Sequence, residues 1–514
     1  MKKYIKLLII PLLLVGCSEN FLEQTKTDAL SESTLFHSEA DGLAAVNGVY
    51  NQLHQNHIDF IIKGIWYNAN FLTQDVNNWG ADVFYKTYDI PATFSSLDKL
   101  WGNCYVGISR ANSVIPSLKT LITNGFISEA LGNRLIGECK FLRGFYYTIL
   151  ASNFGGVPLL LAPSYTGKEP RSSQDEVFVA VANDMQDAAD VLPWSYDNLN
   201  VGRATKGAAL AYLGEAFLWI KEYARAETAL QQVRDYSIAN PTVIGLQEKY
   251  WDIHDIAFEN GKEALFSVQY HTPEARDWNT PNDAQWLQNF TMPDEINNTG
   301  YAFCDKLYYD AFESGDTRKI ASVIGPGDQH PTCPINSYPK ITDGINIKSD
   351  SVDYNINTCG TVTHPWNRAD RSGYYVMKFW RQPESIIDNY KSRHFSELNL
   401  IMMRYGQVLL DLADAKANLN KELEARDLVQ EIRNRAWQGT APVSTGNITD
   451  VLVKEFRLEV AGEFSLWYIL RRMGQARNFI EKYHPGTTIP NGRELLPIPQ
   501  NQMDLNPNLI QNQY

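Results

Sequence analysis

Three stretches of the 514-residue chain set aromatic rings among short polar side chains. One is Gln74-Asp75-Val76-Asn77-Asn78-Trp79; a second runs from Asp277-Trp278-Asn279 through Gln285-Trp286; the third is His364-Pro365-Trp366-Asn367-Arg368. A Trp ring offers flat apolar area with few rotamers to freeze. Hydrogen bonds from Asp, Asn, Gln or Arg beside it each net only about 0.5–1.5 kcal/mol, because water competes. In such a pairing the ring supplies affinity and the polar neighbours supply orientation. That is the chemistry of holding a ligand, not of breaking its bonds. Asp75, Asn77, Asn78, Trp79, Trp278, Trp286 and Trp366 are therefore the candidate ligand-contacting residues. The competing reading for each stretch is ordinary loop packing, since aromatic rings also bury well.

Bond-breaking chemistry leaves little trace. No G-x-S-x-G, H-E-x-x-H or G-x-x-x-x-G-K-[ST] occurs. His54 and His57 are three apart without a third ligand, and there is no C-x-x-C or D-x-[DN]-x-[DN]-G loop, so no metal or cofactor is assigned. No catalytic residue is assigned either, and the chain reads as a non-enzyme. The one class that sequence does not address is a glycosidase, whose carboxylate pair is defined only by its separation in space. The acidic groups at 310–316 and 411–414 read as solvated helix faces or ion-pair partners. With Lys+Arg 46 against Asp+Glu 59, the formal charge is −13. Nucleic-acid partners are excluded on that ground, since phosphate binding needs a Lys/Arg surplus. A polybasic hold on anionic lipid is excluded for the same reason. A hydrophobic share of 44% rules out wholesale disorder.

The elements that must position these rings are mostly helical. Apolar residues recur at threes and fours in helices expected at about 38–55, 97–122 and 128–152. Helical patterning resumes over 174–240. Thr205 is expected to cap KGAALAYLGEAFLWIK, whose Ala208, Ala211 and Gly214 let a neighbouring helix come close. The following EYARAETALQQVRDYSI completes a TPR-like hairpin. A second hairpin is expected over 398–436, about 190 residues further on, so no continuous solenoid is expected. Between them, 241–396 is rich in Gly, Pro, Asn, Asp and Thr, with ALFSVQY as a candidate strand. A final helix is expected at 449–463, then LWYILRRMG and coil to Tyr514. The fold class is mainly α: helix hairpins forming a scaffold, with a large loop-rich, mixed inserted region. Trp101, Trp219, Trp437 and Trp467 fall in helical patterns and read as core, Trp194 as packing. Arg143, Arg404 and Arg457 read as structural ion-pair partners, with Glu138, Asp411 and Glu459 as mates.

The first residues, MKKYIKLLIIPLLLVGC, combine Lys2, Lys3 and Lys6 with an apolar run too short to span a bilayer. The segment reads as a signal peptide over 1–16. Leu14-Val15-Gly16-Cys17 resembles a bacterial lipobox, which makes Cys17 the expected lipidation site and 17–37 a tether. The remaining organisation expected is 38–240 helical, 241–396 loop-rich and carrying the candidate ligand face, and 397–514 helical ending in coil, with 38–514 one domain. Five other cysteines remain. Cys104 and Cys139 read as buried hydrophobes, whereas Cys304, Cys333 and Cys359 leave room for one disulfide of unassigned pairing.

Six stretches in order then resemble the SusD-like (RagB/SusD) lipoproteins of Bacteroidota: GECKFLRGFYYTILASNFGGVPL at 137–159, RATKGAALAYLGEAFL at 203–218, LIMMRYGQVLLDLADAKANL at 400–419, EIRNRA at 431–436, EFRLEVAGEFSLWYILRRMG at 455–474 and ELLPIPQNQMDLNPNLIQN at 494–512. The resemblance implies an α fold on TPR-like helix pairs. It implies an outer-membrane protein facing the extracellular side, binding a glycan and delivering it to a TonB-dependent, SusC-like transporter. In that family the loop after the first helix contributes to the ligand face, which favours the stretch around Trp79. The alternatives are a TPR-type protein scaffold, a peptide-binding uptake lipoprotein and, last, a surface glycosidase.

Overall fold

The first helix among the described residues, α1 (Glu39–Tyr50), starts where Ser38 accepts a hydrogen bond from the Asp41 amide. The structure is a computed structural model and describes residues 36–78, 80, 82–271, 285–292, 301–325, 328, 372, 374–379 and 395–513. Two long helices follow, α2 (Ser95–Thr123) and α3 (Glu129–Phe154). Ser128 caps the start of α3, and Gly155, at φ 74°, ends it in the left-handed region that favours glycine. Helix α4 (Gln174–Val191) opens on a reciprocal capping box between Ser173 and Glu176. Thr205 caps α5 (Lys206–Trp219) through the Ala208 amide, and α6 (Tyr223–Ala239) returns antiparallel. The later helices include α7 (Tyr405–Asn418), α8 (Glu422–Ala436), α9 (Ile448–Val460) and α10 (Leu466–Arg472).

Each helix from α2 to α8 packs on the next. The two hairpins expected from sequence are present, but their separation in the chain does not carry into space. Helix α6 lies against α7, so the row of helices is continuous and the intervening region loops out of it. Close approach within the α5–α6 hairpin depends on Gly214, where an added Cβ would sit 2.4 Å from Leu230 Cγ. The segment Leu400–Arg404 corrects the expected helix, which starts only at Tyr405. It is a strand because Ala264–Val268, inside the candidate strand ALFSVQY, pairs with it antiparallel.

Six short strands form three antiparallel pairs among the described residues. They are β1 (Val76–Asn78) with β3 (Ala302–Cys304), β2 (Ala264–Val268) with β6 (Leu400–Arg404), and β4 (Val323–Ile324) with β5 (Tyr375–Val376). One hydrophobic cluster runs from Val46 to Leu509, so helices and loop-rich region share a core. Trp101 and Trp467 are buried in it, while Trp194 stacks on Tyr236 with ring centroids 3.8 Å apart. Cys104, Cys139 and Cys304 are buried free thiols, so Cys304 takes no part in the disulfide that sequence allowed; Cys333 and Cys359 lie outside the described residues.

A buried ion cluster joins the loop-rich region to the C-terminal helices. Arg404, at the end of β6, bonds Glu459 at 2.7 Å and Glu463 at 2.8 Å. Arg435 of α8 reaches Glu263 at 3.0 Å and also bonds Glu459. Arg318 bonds Glu455 at 3.1 Å and Asp316 at 2.7 Å, and Lys378 bonds Glu463 at 2.6 Å. Charge this deep persists only when paired. The three Arg singled out in the sequence are all in such pairs. Glu459 is a mate of Arg404, whereas Arg143 pairs with Asp184, Glu138 with Arg203 and Asp411 with Arg472.

Candidate functional site

The backbone between α1 and α2 forms the first wall of the site. After α1 it enters a nine-residue π-helix, Ile58–Trp66, within a stretch whose sequence read as mixed. The π-helix presents Lys63 and packs against α2. An added Cβ at its Gly64 would lie 2.7 Å from the Asp59 carbonyl and 3.0 Å from Leu100, so only glycine fits there. The chain then turns through Gln74, at φ 62°, into β1, and it leaves the excursion at Tyr88, at φ 58°. Both are non-glycine residues in the left-handed region, which costs about 1 kcal/mol or more each unless the surroundings impose it. Gln74 Nε2 donates to the Phe71 and Tyr85 carbonyls, and the Tyr88 hydroxyl to the Leu72 carbonyl.

The second wall comes from far along the chain. Strand β3 pairs with β1 in the register Val76–Cys304, Asn77–Phe303 and Asn78–Ala302. That pairing brings Tyr301 to Asn78 and Asp82. The Tyr301 hydroxyl donates to Asp82 Oδ2 at 2.5 Å and accepts from Asn78 Nδ2 at 3.3 Å. Lys63 Nζ lies 3.7 Å from the same Asp82 oxygen. Burial and the Asp82 carboxylate push the Tyr301 phenol up, so it stays a donor. Its half-buried ring lies parallel to Tyr67 at 5.9 Å and meets the edge of Phe290 at 5.8 Å. The Asn78 Oδ1 is buried with no hydrogen-bond partner among the described residues. A buried acceptor left in that state calls for a donor from water or ligand. The arrangement is an aromatic cluster in which Tyr67, Asn78 and Asp82 are buried while Tyr301, Phe290 and Lys63 are half-buried at its edge.

Trp286 stands one residue before the short helix Leu287–Thr291 that carries Phe290. It is half-buried, with its ring edge-on to Phe395 at 5.0 Å. Its backbone N–H donates to His57 Nε2 at 3.2 Å, which makes Nδ1 the protonated nitrogen facing the Tyr270 hydroxyl at 3.0 Å. Burial, then the neighbouring His54, lowers the His57 pKa to about 3, so the ring is neutral. It fastens the Trp286 segment to the end of the first helical stretch.

The sequence candidates divide as follows. Asn78 lies in the cluster, and Trp286 on the segment beside it. Asn77 is half-buried and donates to the Gln74 carbonyl. Asp75 is a correction: it is completely buried, with Arg457 Nε at 2.9 Å and His484 Nε2 at 3.0 Å, so its charge serves the interior. Although burial raises its pKa, Arg457 and His484 outweigh that and keep it ionised. Trp79, Trp278, Trp366 and Cys17 lie outside the described residues. Lys63, Asp82, Phe290 and Tyr301 were not singled out from sequence. Only the apolar run Ala302–Cys304 beside Tyr301 hinted at a strand, and nothing local announced its partner. Among the described residues, no group of three or more His, Cys, Asp or Glu could hold a metal, and no helix is long and apolar enough to cross a membrane.

Residues 256–514 match the family model described as the SusD family. The chain belongs to the SusD family. Residues 20–218 match a second model, described as starch-binding associating with outer membrane. A SusD-like protein of Bacteroides ovatus is 26% identical over 485 residues, 90% of this chain and 81% of that one. A SusD-like carbohydrate binding protein of Bacteroides fragilis shares the fold with a TM-score of 0.75 at 17% identity, covering 93% of this chain and all of that one. Surface glycan-binding protein A of Bacteroides fluxus does so at 0.72 and 19%, covering 92% and 99%. In this SusD-family chain the β1–β3 pairing therefore joins a segment of the second model to one of the first.

Proposed function

We propose that this SusD-family protein is a non-catalytic glycan-binding lipoprotein of the outer membrane. It is held by acyl chains on Cys17, faces outward, and passes captured oligosaccharide or polysaccharide to a TonB-dependent, SusC-like transporter. Family membership, the outer-membrane description of the second matching model and the glycan-binding names of structural neighbours support this. The observation that carries it is the Tyr301 cluster. A pyranose presents a face of C–H bonds and a rim of hydroxyls, which suits the half-buried Tyr301 ring with the Lys63 ammonium at its edge and the unpartnered Asn78 Oδ1 behind it. Trp79, adjacent to Asn78 in sequence, joins the same site in this reading, with Trp278 and Trp366 as further contacts.

The test uses residues 18–514 and a panel of starch, laminarin, xylan and mannan in affinity gels and calorimetry. Retention by at least one polysaccharide without released sugar is expected, and Tyr301→Ala should weaken it about tenfold, from loss of ring area and ring contacts. Released oligosaccharide would instead make the protein a glycosidase. Binding to a peptide mixture but to no polysaccharide would favour peptide uptake, and binding to neither would favour a protein scaffold.

A further inference from the structure

A groove lies on another part of the molecule, where the C-terminal segment crosses the start of α2. Its volume is about 230 Å³, and Trp101, Tyr105, Tyr165, Glu169, Gln502 and Leu505 are among its lining residues. That is somewhat below the roughly 300–1,000 Å³ of sites enclosing drug-sized ligands, so it suits a smaller group. Tyr165 is 49% exposed and Leu505 64% exposed. Both line the same groove, so their apolar surface faces one concavity.

The walls are tied before any ligand arrives. The Tyr105 hydroxyl donates to the Pro158 carbonyl at 2.7 Å, and Tyr105 lies 5.2 Å from Trp101. Gln502 Nε2 donates to Asp98 Oδ1 at 2.9 Å, and Asn506 Nδ2 to the Glu169 carbonyl at 2.8 Å. A preformed groove avoids the ordering cost of binding.

Gly102 supplies an independent observation. Within α2 and α3, Gly107, Gly132, Gly137 and Gly144 are required by packing, because an added Cβ would lie 2.3–2.9 Å from a neighbouring side chain. At Gly102 a Cβ would meet nothing within 4 Å. A helical glycine costs about 1 kcal/mol relative to Ala. Among the described residues no neighbour accounts for that cost at Gly102, nor at Gly48 of α1, but Gly102 alone of the two lines the groove beside Tyr105. A bare helix surface there leaves the floor open for something from outside.

We infer that this groove is a second carbohydrate subsite, taking one pyranose ring across Tyr105 and Tyr165, with its hydroxyls toward Glu169, Gln502 and Asn506. The inference rests on the glycan-binding reading, and the test separates the two. The probe is whichever polysaccharide of the starch, laminarin, xylan and mannan panel the unaltered protein retains. Tyr165→Ala removes an exposed ring, and Gly102→Phe fills the groove from an open helix face. Each should lower affinity about three- to tenfold, the range of one aromatic contact. In a Tyr301→Ala background the remaining weak binding should vanish when Tyr165→Ala is added. If both groove variants bind like the unaltered protein while Tyr301→Ala alone loses affinity, the second subsite is wrong and the glycan reading stands. Retention by none of the four polysaccharides overturns both.

Discussion

Both carboxylate oxygens of Asp75 face Arg457, and His484 closes on the same group. Removing one partner of such a buried pair leaves a charge without compensation, at a cost of about 3–5 kcal/mol. Asp75→Ala should therefore lower the urea midpoint strongly, with polysaccharide affinity of the remaining folded protein unchanged. Loss of affinity at unchanged stability would return Asp75 to the ligand face. His57 gives a pH dependence of definite sign. Its ordinary pKa of 6.5 falls to about 3 in the folded protein. Between those values the unfolded chain binds a proton that the folded chain does not, so stability declines as pH falls below 6.5. The slope approaches about 1.4 kcal/mol per pH unit. Urea titrations between pH 7 and 5 should show it, and His57→Gln should flatten it.

At the scale of elements, the α5–α6 hairpin depends on a missing side chain. Gly214→Ala gains about 1 kcal/mol of helix propensity but drives a methyl into Leu230. Overpacking of that kind costs about 1–3 kcal/mol. A net loss of stability is expected by thermal unfolding, and the double variant with Leu230→Ala should lose less than the two single losses added together, because the clash is then gone. The capping box of α4 makes a contrasting case. Ser173→Ala should cost about 1 kcal/mol, with ligand binding unchanged, since α4 contributes nothing to the Tyr301 cluster.

Across the whole molecule, the ion cluster decides whether the loop-rich region stays docked. Burial opposes ionisation of Glu459, but Arg435, Arg404 and Arg318 outweigh it and hold its pKa at about 2, against an ordinary 4.5. A depressed carboxylate stabilises fully above its unfolded value and loses that contribution as pH falls toward its folded one. Acid should therefore release the cluster between about pH 4.5 and 2, with the tyrosines of 250, 308 and 375 reporting through near-ultraviolet dichroism. Glu459→Gln should move that transition to higher pH.

Periodicity and end signals in the sequence were enough to define most helices. Apolar residues at threes and fours outline α2 and α3, Thr205 marks the start of α5, and Ala and Gly in KGAALAYLGEAFLWIK announce a close neighbour. These are local properties, so they survive without knowledge of the rest of the chain. The resemblance to SusD-like proteins was legible for the same reason, in six stretches that are mostly helix. Long-range contacts decided what local patterning had no way to encode. Leu400–Arg404 is apolar enough for helix or strand, and the partner at 264–268 selects strand. Asp75 and Asn78 are three residues apart in one polar stretch and both are buried, yet Arg457 and His484 pair with the first, while β3 places the second beside Tyr301, 223 residues away, with its Oδ1 left without a partner among the described residues. A side chain's neighbours in the folded molecule, not its neighbours in sequence, determine whether its buried polar atoms are satisfied from within or left wanting a partner.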